Sequence, residues 1–205
     1  MWAAGAGCVL AALLGIGGLA AFNDFWNTRP GSFAEGVAAR NVDDADFAIN
    51  ASVLLLGLVG FVVGVLLIIW SYQAHRASRS LSDGPRAWSS GWSVGAWFIP
   101  LANLVLPKLV LNEIERIALA PRDETGKMGD WRGRSTIPIG WFWWILYIVG
   151  YFVALFGYST FDSIDGTEGS WRAGYVAVVA GFSMLAGSSV FGALYIRRIT
   201  KALNG

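Results

Sequence analysis

Charge is what this chain has least of. Lys, Arg, Asp and Glu together make up 14% of its 205 residues, against about 25% in an ordinary soluble domain. Hydrophobic residues make up 55%, and the mean hydropathy is +0.53. That balance excludes a soluble globular domain and points to an integral membrane protein. With a single cysteine, Cys8, no intrachain disulfide and no cysteine-based metal cluster can form. The single histidine, His75, has no companion Cys or Met ligand on a facing helix, so haem is not expected. It reads as polar packing at a membrane edge.

Four long apolar runs carry no charged residue at all: 2–22, 51–70, 137–159 and 174–196. Each has roughly the length that crosses ~30 Å of hydrocarbon. An ion-coupled transporter places ionisable groups inside its spans, and these have none. Converging acid, base and nucleophile groups, nucleotide-binding motifs and nucleic-acid-binding motifs are absent too. Asp43, Asp44 and Asp46 read as a solvated acidic loop, not a cation site. The sequence therefore predicts no enzyme, no catalytic residue, no metal, no cofactor and no nucleic-acid partner.

No Lys or Arg precedes the first run, and a signal peptide would start with a basic segment; an uncleaved first helix is expected. Residues 23–50 read as a polar loop. Arg outnumbers Lys twelve to three, and Gly and Ala are abundant, a bias that suggests a GC-rich bacterial genome. The basic residues set the orientation. With four spans and both termini cytoplasmic, the outer loops hold Arg29, Arg40 and Arg172, and the inner segments hold the other twelve Lys and Arg, as the positive-inside rule requires. The outer loops hold eight of the fourteen acids, Asp162 and Asp165 among them, and Asp83 lies inside. A bacterial plasma-membrane protein follows, with residues 1–205 as one membrane domain.

The stretch GWSVGAWFIPLANLVLPKLVLNEIER, residues 91–116, resists a simple reading. It is apolar, yet Pro100 and Pro107 interrupt it and Lys108 lies past its middle. Proline removes an amide donor and disfavours helix in the residue before it, so residues 93–99 and 100–106 form short pieces. Residues 91–106 are expected to be re-entrant or interfacial, entering and leaving on the cytoplasmic side, and a new helix starts at Pro107, where its missing N–H costs nothing. Over 107–119 the period is helical: Val110, Leu111, Ile114, Ile117 and Ala118 share one face, and Lys108, Asn112, Glu115 and Arg116 the other. This amphipathic helix lies on the lipid surface or packs on the bundle.

These same residues carry a resemblance. With WSYQAHRAS ahead of it, the stretch resembles the bacterial family called domain of unknown function 4328. The matching features are Trp70, Tyr72, His75 and Arg76, then Trp97, Phe98, Ile99, Pro100, Asn103 and Pro107, then Glu113. The resemblance covers residues 52–117 and implies a membrane architecture without an established activity. Lys108 stands where many relatives place an aromatic residue, and Ala77 where they tend to carry Asn.

The fold expected is all-α: four transmembrane helices, a proline-broken segment and a cytoplasmic amphipathic helix. The structural motif is Trp97, Phe98, Pro100, Asn103 and Pro107. Asn103 reads mainly as a cap on the broken backbone; its functional reading is a ligand contact. The binding candidates are His75, Arg76, Asn103, Lys108 and Arg116. Small residues, Gly60 with Gly64, Ser183 with Gly187 and Ser188 with Gly192, mark helix contacts within the bundle or with a partner. The leading function is a non-enzymatic accessory or scaffold protein in the lipid bilayer, bound to a membrane protein complex or to further copies of itself. The alternative is a small transporter or lipid-binding protein with a pocket at the cytoplasmic leaflet around Asn103, His75 and Lys108.

Overall fold

The structure, a computed structural model, describes residues 1–82, 84–122, 124, 130–160 and 167–204. Asp83, Asp162 and Asp165 of the charge argument lie outside the described residues. Among the described residues, six α-helices account for most of the chain: α1 (Trp2–Asn27), α2 (Phe33–Leu81), α3 (Trp92–Gly95), α4 (Leu106–Ala118), α5 (Pro138–Ser159) and α6 (Glu168–Asn204). A 3-10 turn at Ala102–Leu104 precedes α4, and no strand occurs among the described residues. The fold is all-helical, and α1, α2, α5 and α6 are each long and apolar enough to cross a membrane.

Two of these helices run well past their apolar runs. The 49-residue α2 begins at Phe33, so most of the stretch expected to be a polar loop is helix. Ser32 caps it: its Oγ accepts the N–H of Glu35 at 3.2 Å, and the Glu35 carboxylate accepts the N–H of Gly31. This Ser-x-x-Glu arrangement satisfies amide donors that the first helical turn leaves open. Ala38, Val42, Ala45 and Ile49 then recur at helical spacing, with Ala38 and Ile49 buried. Polarity alone had argued for a loop; a cap followed by an amphipathic stripe overrides it. Helix α6 likewise starts six residues before its apolar run and ends eight after it.

The chain falls into two compact units. The first comprises Met1–Gly60 with Ile145–Val190. Its core is small and close: Cys8, Ala11 and Ala12 of α1 meet Val178 and Phe182 of α6, and a second cluster joins Phe22, Ile49 and Tyr175. Helices α5 and α6 touch backbone to backbone. A Cβ on Gly181 would come within 2.4 Å of the Ala154 nitrogen, and one on Gly157 within 2.7 Å of the Val178 nitrogen. Only glycine permits that approach. The acidic stretch is part of this packing: Asp46 accepts a hydrogen bond from the Tyr175 hydroxyl, which corrects its reading as a solvated loop residue.

The second unit comprises Phe61–Trp144 with Phe191–Gly205. Helix α4 is its centre, starting within a residue of the expected place with Pro107 in its first turn. Its apolar face is closed, as expected, with Val110, Leu111, Ile114 and Ile117 at 1% exposure or less. Its polar face is closed as well, since Lys108, Asn112, Glu113 and Glu115 are all buried. Of the two placements open to an amphipathic helix, packing inside the protein is the one found, because the unit supplies partners for Lys108, Glu113 and Glu115.

Ahead of α4 the chain is broken as the prolines require. Leu101, at φ 63° and ψ −43°, is the one non-glycine among the described residues with positive φ. The Ala102 N–H bonds back to the Pro100 carbonyl at 2.7 Å, a γ-turn of the strained, rare hand. Phe98, Ile99, Leu101 and Val105 are exposed, giving this segment an apolar outer surface.

Candidate functional site

Three polar arrangements in the second unit involve the residues singled out by the sequence. The first lies on one side of α4. Lys108, Asn112 and Glu115 recur every three or four residues, so they stack along one helix face. The Lys108 Nζ donates to Asn112 Oδ1 at 2.5 Å and stands 3.9 Å from Glu115 Oε2. It also lies 5.1 Å from the ring centres of Trp141 and Tyr195, within the range of cation–π attraction. Burial pushes the Lys108 ammonium down to about 8, against the pull of Glu115, which raises it. Glu115 is fully engaged. Its Oε1 accepts the Ile137 N–H ahead of α5, and its Oε2 accepts the Tyr195 hydroxyl at 2.9 Å.

A second arrangement lies between the end of α2 and α4. The peptide of Trp88 is gripped from both directions: His75 Nε2 donates to its carbonyl at 3.2 Å, and its N–H donates to Glu113 Oε2 at 3.2 Å. A ring nitrogen that bonds a carbonyl must carry the hydrogen, which makes Nδ1 the acceptor in neutral His75. That nitrogen and Glu113 Oε1 are buried without a hydrogen-bond partner among the described residues. Burial raises the Glu113 carboxyl above its ordinary range; the Trp88 N–H bond and the nearby Arg86 charge pull the other way. Arg86 Nη1 donates to Ser78 Oγ at 2.9 Å, and its Nη2 donates to the Ser78 carbonyl. The 84–92 connection is thus tied to both helices by charged or polar side chains.

The third is a cavity of about 350 Å³ whose lining includes Glu115, Arg116, Arg134, Ser135, Thr136 and Arg198. Arg116 is half-buried, while Arg134 and Arg198 are exposed.

The expected binding residues do not converge. His75 and Lys108 are both closed to solvent and belong to separate arrangements. Arg76 is exposed, its guanidinium 5.9 Å from the centre of the Tyr72 ring. Asn103 is exposed and bonds the Ile99 carbonyl through its backbone N–H. Its side chain bonds no described residue, so it does not cap the backbone between Pro100 and Pro107. That task falls to Trp144, whose Nε1 donates to the Leu104 carbonyl at 2.7 Å while its ring meets Trp97 edge-on. Of the structural motif, Trp97 and Pro107 pack inward, and Phe98 and Pro100 are exposed. Among the described residues, no group of three or more His, Cys, Asp or Glu is placed to hold a metal ion.

Sequence reasoning missed Tyr195, Arg134 and Arg198. Tyr195 sits in an apolar run where a hydroxyl gives no signal of its partner, while Arg134 and Arg198 were visible only as inner positive charges. Glu115 had been placed on the right face of α4, beside Lys108 and Asn112.

No curated protein and no solved structure matches this chain. A family model does, over residues 34–201, from the start of α2 to near the end of α6. The match takes in the His75–Arg76 segment, the proline-broken stretch and Glu113, and covers far more than half the chain; the protein belongs to the family described as Domain of unknown function (DUF4328).

Proposed function

We propose that this is a non-enzymatic membrane protein with four spans and both ends in the cytoplasm, acting as an accessory or scaffold that docks a membrane partner along α2. The observation that carries the reading is the state of α2. From residue 50 to residue 66 no position is buried. Three glycines, Gly57, Gly60 and Gly64, lie within this stretch, and a Cβ on any of them would meet nothing within 4 Å. Glycine in a helix interior costs about 0.5–1 kcal/mol relative to alanine, and no packing among the described residues makes use of these three. At 100° per residue they share one face, and small residues on one face let a second helix approach closely in lipid.

The use of the buried ionisable groups supports the same reading. Lys108, Glu113 and Glu115 are bonded to one another's neighbours and to backbone, which gives them structural roles. The basic inner segments support the cytoplasmic placement of both ends.

Recovery in mild detergent tests the proposal. The wild-type chain should emerge with a stoichiometric protein partner or a second copy, and Gly60→Leu should lose it while the chain itself unfolds at a temperature no lower than wild type. A wild-type particle containing one chain and no partner would refute it.

A further inference from the structure

We propose that the cavity formed by Arg116, Arg134 and Arg198 binds a phosphate group. All three arginines line one space of about 350 Å³, and none is hydrogen-bonded through its side chain or ion-paired to a described residue. The Nε of Arg116 is closed to solvent and has no acceptor among the described residues. Among the described lining residues the one carboxylate, Glu115, gives one oxygen to the Ile137 N–H and the other to Tyr195. It also faces Lys108 at 3.9 Å, so it does not neutralise the arginines.

Three positive charges bordering one concave space focus a field that attracts an anion. Guanidinium groups present planar forks of N–H donors that match the oxygens of phosphate, and such charge-assisted bonds are about twice as strong as neutral ones. Ser135 and Thr136 add hydroxyls. Thr136 Oγ1 already accepts the Trp141 Nε1–H at 3.0 Å, which leaves its own hydrogen free to donate. A single flat carboxylate would engage one fork well, whereas a tetrahedral phosphate turns oxygens toward all three. A space of this size also holds whatever the phosphate is attached to. The group could belong to a phospholipid headgroup or be free phosphate, and these sources are separable.

The test uses the full chain in a neutral detergent, with affinity read from the shift in thermal unfolding. One arm titrates inorganic phosphate, with chloride holding the ionic strength constant. The other titrates phosphatidylglycerol in mixed micelles, with phosphatidylcholine as the control. Saturable binding is expected, weakened about tenfold or more in Arg134→Gln/Arg198→Gln. It should be unchanged in Arg197→Gln/Lys201→Gln, which removes the same charge from neighbouring exposed positions. Arg134→Gln alone, at an exposed side chain without a hydrogen bond, should show a smaller loss in the same direction if the double variant does not fold. A response to inorganic phosphate assigns the free ion, and a response to phosphatidylglycerol alone assigns the lipid. Saturable binding of neither probe, or equal loss in the two double variants, overturns the proposal.

Discussion

Tyr195 of α6 donates a 2.9 Å hydrogen bond to Glu115 of α4, and both side chains are closed to solvent, at 0% and 1% exposure. The bond fixes a carboxylate that also holds the Ile137 amide and faces Lys108. Removing one partner of a buried ion pair is expected to cost about 3–5 kcal/mol, because the other charge remains in a low-dielectric site. Lys108→Met should therefore destabilise the protein strongly. Tyr195→Phe should cost about 1–3 kcal/mol, since it leaves one buried acceptor short of a donor. Denaturant titration in detergent micelles measures both.

The same cluster predicts a pH dependence of known sign. Lys108 is lowered from its ordinary 10.5 to about 8 in the folded protein, chiefly by burial. Between those values the unfolded chain binds the proton that the folded chain has lost, so stability rises with pH across that window. The slope is at most about 1.4 kcal/mol per pH unit. Comparing Lys108→Met with wild type at pH 7.5 and pH 9.5 checks this: the rise attributable to Lys108 should vanish in the variant.

Glycine positions separate into two classes. Gly181→Ala places a carbon 2.4 Å from the backbone nitrogen of Ala154, so the helices must move apart, and overpacking of this kind costs about 1–3 kcal/mol or more. Gly60→Ala meets nothing and gains helix propensity of up to about 1 kcal/mol. Unfolding temperatures of the two variants should move in opposite directions.

The grip on Trp88 predicts a local effect. Glu113→Ala leaves the Trp88 N–H without its acceptor, and hydrogen exchange over residues 84–92 should speed up. Glu113→Gln keeps an acceptor oxygen and should preserve most of the protection. Equal acceleration in both variants would show that the charge, and not the bond, holds the connection.

Much of this fold was legible in the sequence. The four apolar runs stand out because nothing but long apolar helices satisfies both their length and their lack of charge. The two prolines marked the break before α4, and its 3.6-residue period marked its inner face. Residues 33–50 were misread because polarity was weighed without the Ser32–Glu35 cap, a signal that was present. The polar face of α4 was harder. Lys108, Asn112 and Glu115 looked suited to water or headgroups, and their partners, Tyr195, Trp141 and the Ile137 amide, lie 22 or more positions away. The arginine cavity was illegible for the same reason: Arg116, Arg134 and Arg198 come together only through tertiary packing.

The docking of a partner on α2 is tested most directly by site-specific cross-linking in native membranes. In a Cys8→Ser background, single cysteines replace Gly57, Gly60 and Gly64 on one face, and Val62 and Leu66 on the opposite face. All five positions are unburied within the chain. The account predicts a cross-linked protein product from the glycine positions and none from Val62 or Leu66. Products absent at all five positions, or equal on the two faces, would contradict it.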